Sequence, residues 1–273
     1  MKKNLTTLIL IFINVVAYSQ QVAKGYVYDD VNRNGKKDRS ETGISYVGVS
    51  NGRDVVLTDE YGYYSITVNE GNTIFIIKPS GYEIPVDNDF IPQFYYHYNP
   101  LGSNKDFEFK GIEPTGKLPS SVDFALYKYD EPDDYSVVVF GDPQPYSIED
   151  LDYFTKKIVR DVEKKENTLF GISLGDIVGD NLDLQPIYKE RMRHLQLPWY
   201  NVMGNHDMNY DASSDILSDE TFKKNFGSAN YAFNYGNAHF IILDNILYPD
   251  PRDGRGYWGG YRLGPVTVFG KQS

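Results

Sequence analysis

Val137-Val138-Val139-Phe140-Gly141-Asp142-Pro143-Gln144 carries four apolar residues straight into a turn that bears a carboxylate and an amide. An unbroken apolar run of this kind predicts a strand buried on both faces, the habit of parallel sheets. The same arrangement returns twice. Leu169–Leu174 runs into Gly175-Asp176, and Trp199–Val202 runs through Met203 into Gly204-Asn205-His206-Asp207. Between the first two runs, Ser147 and Asp150 stand at capping-box spacing. Ile148, Leu151, Phe154, Ile158, Val159 and Val162 then fall on one helical face. Pro186 marks a second helix start, with Ile187, Met192 and Leu195 behind it. Strand, helix, strand, helix, strand predicts two right-handed crossovers in one sheet. The C-terminal ends of such strands line one crevice, so Asp142, Gln144, Asp176, Asn205 and His206 are expected to converge there. Their neighbouring glycines allow close backbone approach. Carboxylates, amides and an imidazole, with no thiol, form a hard donor set suited to Mn, Fe, Zn or Mg.

Upstream the grammar differs. From residue 20 to about Tyr129, short alternating runs separated by turn signals predict an antiparallel β-sandwich. Tyr46–Ser50 and Arg53–Thr58 flank Asn51-Gly52, a pair that favours a type I′ hairpin turn. Lys24–Tyr28, Tyr61–Val68, Thr73–Lys78, Phe90–Tyr98 and Ser121–Tyr127 supply the other strands, and the tyrosines of Phe94–Tyr98 read as sandwich packing. The acidic, proline-containing stretch 130–134 reads as a linker, which places a second domain at 135–273.

The chain has 273 residues, 41% of them hydrophobic and 24% charged, a balance that suits a packed protein rather than a disordered one. Its formal charge of −11 disfavours phosphate backbones and anionic membranes, which argues against general nucleic-acid binding. Without cysteine there is no disulfide framework, thiolate metal site or thiol nucleophile. Lys2 and Lys3, the apolar Leu8–Val16 and the small pair Ala17-x-Ser19 read as a signal peptide over residues 1–19. That apolar run is too short to span a bilayer, so a periplasmic or secreted protein without a membrane span is expected. Cleavage removes two lysines and no acid, taking the charge from −11 to −13.

At its three strand-end motifs the sequence resembles the calcineurin-like metallophosphoesterases, whose pattern is Asp-x-His or Asp-x-Gln, then Gly-Asp, then Gly-Asn-His-Asp. Any one motif alone reads equally well as a turn cap or an Asx-turn. The resemblance implies an incomplete αββα phosphoesterase domain of the α/β class behind the β-sandwich. It implies two divalent cations that activate a hydroxide against a small-molecule phosphate mono- or diester. Asp142 and Gln144 would bind the first, Asp176 would bridge both, and Asn205 would bind the second. His206 would protonate the leaving oxygen, oriented by Asp207. Gln144 stands where histidine is commoner in that family. Asp180, in Gly175-Asp176-x-x-Gly179-Asp180, reads as a loop stabiliser.

The family's later histidine motifs have no counterpart here. The histidines are His97, His194, His206 and His239, and His239 shares a strand face with Ile241 and Leu243, where packing is the expected role. These features predict a C-terminally truncated chain with impaired turnover; the alternative is a catalytically dead, calcium-stabilised binding protein. Substrate identity and oligomeric state are not legible in the sequence.

The front domain carries one motif of its own. Asp30, Asn32, Asn34, Lys36, Asp38 and Glu41 occupy positions 1, 3, 5, 7, 9 and 12 of a calcium loop, with Gly35 at position 6 and the Lys36 carbonyl as donor. Strands rather than helices flank it. With Thr58–Tyr64 and Pro79–Tyr82, the stretch resembles the calcium-binding B-type repeats of bacterial adhesins, a transthyretin-like β-sandwich.

Overall fold

A computed structural model describes residues 21–162, 164, 166–248 and 262–263; the expected signal peptide lies outside them. The front half is a sandwich of two four-stranded sheets, with β1 Gln21–Asp29, β2 Gly48–Ser50, β3 Val55–Leu57, β4 Tyr63–Val68, β5 Asn72–Ile77, β6 Tyr82–Glu83, β7 Tyr95–Tyr98 and β8 Phe124–Lys128. One sheet has the order β4-β1-β8-β6 and the other β3-β2-β5-β7. Alternation builds the core: Ala23 and Val27 of β1, Tyr64, Ile66 and Val68 of β4, and Phe124 and Leu126 of β8 all point inward.

Two expectations need correction here. The sandwich is not wholly antiparallel, because β1 pairs in parallel with β8 through Val27↔Phe124. The hairpin between β2 and β3 is not a two-residue I′ turn. Ser50 pairs with Val55, and Asn51 closes the loop instead by accepting from the amides of Arg53 and Asp54 at 2.9 and 2.7 Å. Its side-chain oxygen thus replaces the backbone turn.

The second half follows as β9 Ser136–Phe140, α1 Ile148–Lys157, β10 Thr168–Leu174, α2 Gln185–Met192, β11 Trp199–Val202, α3 Glu220–Phe226 and the hairpin β12 Tyr231–Tyr235 with β13 Ala238–Ile242. Strands β11-β10-β9 form a parallel sheet in that order. A further short pair, β14 Ile246–Leu247 and β15 Arg262–Leu263, is antiparallel. Helix α1 starts at its Ser147 cap, whose Oγ accepts from the Asp150 amide at 3.1 Å. It ends at Lys157, so Val159 continues the face from a separate turn and Ile158 stays exposed. Strand β9 is not buried on both faces, since Val139 is 49% exposed at the edge of the described sheet.

The two halves share one core. Phe170 and Tyr200 of the parallel sheet and Tyr231, Phe233 and Tyr235 of the hairpin join Ile76, Phe94 and Tyr98 of the sandwich in a single cluster. Phe233 stacks on Tyr200 at 4.0 Å between ring centroids. At the seam the Lys78 carbonyl accepts from the Asn234 amide, and Lys78↔Phe233 is a parallel bridge. The Lys78 side chain is fully buried. Its Nζ donates to Glu131 Oε1 at 2.6 Å and to the Asn234 carbonyl at 2.7 Å, and it lies 3.7 Å over the Tyr235 ring. Glu131 Oε2 accepts from the Gly236 amide at 2.7 Å. The acidic stretch 130–134 is therefore pinned at its second residue rather than free.

Burial lowers the pKa of Lys78, and Glu131 is what keeps its charge tolerable. Glu131→Ala should thus cost about 3–5 kcal/mol by stranding an unpaired ammonium. Urea unfolding reads this as a lower midpoint for one transition involving both halves; an unchanged midpoint would contradict it.

His97 gives a second expectation. Burial lowers its pKa to about 4. The neutral ring donates Nε2–H to the Lys223 carbonyl at 3.0 Å and accepts at Nδ1 from Thr73 at 2.8 Å. An unfolded histidine titrates near ~6.5, so between that pH and about 4 the unfolded state binds the extra proton. Stability should therefore fall as pH drops through that window. Melting curves of His97→Gln should show a flatter pH dependence than those of the parent.

Candidate metal centre and catalytic cleft

The loops after β9 and β10 have unusual backbone. Asp142, Gln144, Asp176 and Asp180 adopt φ of 51°, 42°, 46° and 61°, half of the eight non-glycine residues with positive φ among the described residues. Such conformations cost of order 1–3 kcal/mol each and persist where the surroundings impose them. Here the surroundings are the other two loops. The Gln144 amide donates to the Asp176 carbonyl at 2.9 Å, tying the first loop to the second. The His206 amide donates to Asp176 Oδ1 at 3.1 Å, tying the third to the second.

Asp207 completes this arrangement from beneath. Fully buried, it accepts from the amides of Ile177 at 3.0 Å, Val178 at 3.3 Å and Gly204 at 2.9 Å. Burial pushes its carboxyl up to about 7, against the pull of those amides. Gly204 is required by contact: a Cβ there would lie 2.1 Å from both the backbone nitrogen and Oδ1 of Asp176. Burial also raises the Asp176 carboxyl, and the nearby Asp142 charge adds to that rise.

The structure thus brings Gln144, Asp176 and His206 together, with Asp142 near enough for its charge to act on Asp176, and it differs from expectation in two hydrogen-bond partners. Asp207 does not orient His206; its oxygens are spent on backbone amides. The partner of His206 is Asp180, whose Oδ1 lies 2.7 Å from Nδ1. Asp180 thus does more than brace its loop, since it holds the His206 ring, and its place four residues after Asp176 is the available signal. Gln144 Nε2 donates to the Tyr146 hydroxyl at 3.1 Å, which leaves Oε1 as its donor for a cation. The Tyr210 hydroxyl holds the Asn205 carbonyl at 2.8 Å.

The later histidine does not join the centre's hydrogen bonds. His239 sits on an exposed hairpin face, with Nδ1 2.6 Å from Asn234 Oδ1, so the packed role expected for it is also incorrect. Among the described residues no three acid or imidazole side chains gather as a metal site. The centre offers two carboxylates and two amides, a hard oxygen set that fits a divalent cation.

A cleft of about 490 Å3 opens beside the His206–Asp180 pair, lined by Tyr146, Asp180, Asn181, Asp183 and Tyr210 and by Glu108 and Phe109 of the sandwich domain. The Phe109 carbonyl accepts from Asn209 Nδ2 and Thr221 Oγ1, and the Glu108 amide donates to Asp211 at 2.7 Å. Nothing local in the sequence marks Glu108 or Phe109, because the contact spans a hundred residues.

Hard oxygen donors thus lie at the ends of the parallel strands, beside a histidine held by a carboxylate. Comparison with known proteins gives the class. Residues 31–113 match the family model described as the N terminal of calcineurin-like phosphoesterase, and residues 135–263 match the calcineurin-like phosphoesterase model. The chain thus carries a calcineurin-like phosphoesterase domain behind that family's N-terminal domain, which supports a metal-dependent phosphoesterase. No curated protein matches the chain.

Gly204→Ala should lower the melting temperature, because the new methyl must push the Asp176 backbone aside, and in the folded fraction it should weaken manganese binding about tenfold or more. Calorimetry with an unchanged isotherm would contradict the assignment.

Proposed function

We propose that this protein is an exported metal-dependent hydrolase of small-molecule phosphate mono- or diesters. The observation that carries the reading is the pair of hydrogen bonds to Asp176, from the Gln144 amide to its backbone carbonyl and from the His206 amide to its carboxylate, which joins three separate loops at one residue. Asp142 and Gln144 would hold a first divalent cation, Asp176 would be shared, and Asn205 would serve a second. When bound, such cations supply Lewis acidity toward the phosphoryl oxygens and lower the pKa of water. Which of Mn, Fe, Zn or Mg is used is left to the donor chemistry, and all four accept oxygen ligands.

The chain's own groups do the rest. In its protonated form His206 donates Nδ1–H to Asp180, which orients the ring, and its Nε2–H can then pass a proton to the leaving oxygen. The cleft beside the ring provides the volume for the leaving group, with Tyr146 and Phe109 as its apolar walls. A second cation has few donors among the described residues, so its affinity should be low and turnover slow. Export rests on the sequence of residues 1–19.

The rival reading, a calcium-stabilised binding protein without catalysis, is separated by assay. Hydrolysis of an activated aryl phosphodiester and of its monoester should depend on manganese, rise through millimolar concentrations and vanish with chelator. His206→Ala should lower kcat about 100-fold or more, as loss of a general acid does. Asp180→Asn should lower kcat more than it changes KM. Manganese binding with no turnover of either ester would establish the rival.

A further inference from the structure

The Asp30–Glu41 loop is the motif that the phosphoester chemistry leaves unused. Asp30 is almost wholly buried, and its two oxygens accept from the amides of Asn34 at 3.1 Å and Gly35 at 2.7 Å. Arg33 and Gly35 have φ of 57° and 71°, which turns the chain back on itself. Asn32 and Asn34 both donate Nδ2 to Asp38 Oδ2, at 2.8 and 2.9 Å, so positions 3, 5 and 9 are already gathered.

Glu41, at position 12, points to the ligand. It is 7% exposed, and its Oε2 turns into the loop to accept from the Asp38 amide at 2.9 Å. Its Oε1 is buried with no hydrogen-bond partner. A buried carboxylate oxygen without a donor is costly unless a cation meets it.

Two of the loop's four basic residues, Arg33, Lys36, Lys37 and Arg39, are engaged with partners of their own. The Arg33 guanidinium is drawn toward Glu83 at 3.7 Å and lies 4.5 Å over the Tyr127 ring. Lys37 is engaged with the Glu41 carbonyl at 3.1 Å and sits 5.3 Å over the Tyr26 ring. Three carboxylates, two amide oxygens and the Lys36 carbonyl then remain for a dication.

We infer that this loop binds one calcium ion, independently of the phosphoesterase centre. Flexible oxygen ligation with a terminal glutamate favours calcium over the smaller magnesium, which demands near-octahedral geometry. Because no three acids are yet drawn to metal distance, binding exchanges the Asn32 and Asn34 bonds to Asp38 for bonds to the ion. That exchange sets a modest affinity, about 10⁻⁴–10⁻³ M, the range of extracellular modules. The ion closes a loop whose first residue donates to the Leu126 carbonyl, so it braces the β1–β8 pairing as well.

The test uses the full chain with calcium as the only added cation, read by calorimetry and thermal melting. The parent and Asp176→Asn should bind calcium alike and melt later when it is present. Glu41→Gln should weaken binding about tenfold or more and lose the melting shift. If Glu41→Gln fails to fold, the half-buried Asp38→Asn carries the same expectation. Calcium binding that survives these loop substitutions but disappears in Asp176→Asn overturns the inference, as does a folded parent that binds no calcium.

Discussion

The arrangement of the catalytic face depends on one buried carboxylate. Asp207 accepts from the amides of Ile177, Val178 and Gly204, from the loops after two neighbouring strands, and from Gln185 Nε2. Those amides are groups that a strand end leaves without partners, and a carboxylate is the side chain able to accept several at once. By joining the two loops, Asp207 fixes Asp176 against Gly204 and sets the backbone of His206 against Asp176. The strained Asp176 sits inside that closure, and the strained Gln144 of the first loop is tied to it by its own amide, which donates to the Asp176 carbonyl.

The sandwich domain belongs to this site rather than standing apart from it. Its core runs without a break into the hairpin β12–β13 and the parallel sheet. The buried Lys78–Glu131 pair locks that seam, because neither charge is tolerable without the other. The segment around Glu108 and Phe109 is carried by this rigid union to the wall of the cleft. The family match over residues 31–113 agrees with a front domain that travels with the phosphoesterase.

Local patterns in the sequence were sufficient for most strands of the sandwich, the three parallel strands and the starts of α1 and α2, but not for α3, β6 or β12. Ser147 and Pro186 act on their own neighbours, and a parallel sheet brings its strand ends together whatever the side chains are. What failed was long-range. The partner of His206 could not be chosen between Asp180 and Asp207 by proximity in sequence, because burial decided it: the buried acid took amides and the half-exposed one took the ring. The exposure of Val139 depends on which strand is the edge, and the parallel β1–β8 pairing depends on a connection of nearly a hundred residues. Glu131 looked like linker acid because composition does not reveal a buried lysine waiting opposite.

The reading above gathers the three strand-end loops into one metal crevice. Anomalous diffraction from crystals soaked in manganese tests it directly. The account predicts a peak bounded by oxygens of Asp142, Gln144 and Asp176, with any weaker second peak between Asp176 and Asn205. Manganese found only elsewhere on the chain, with those side chains turned apart, would contradict it.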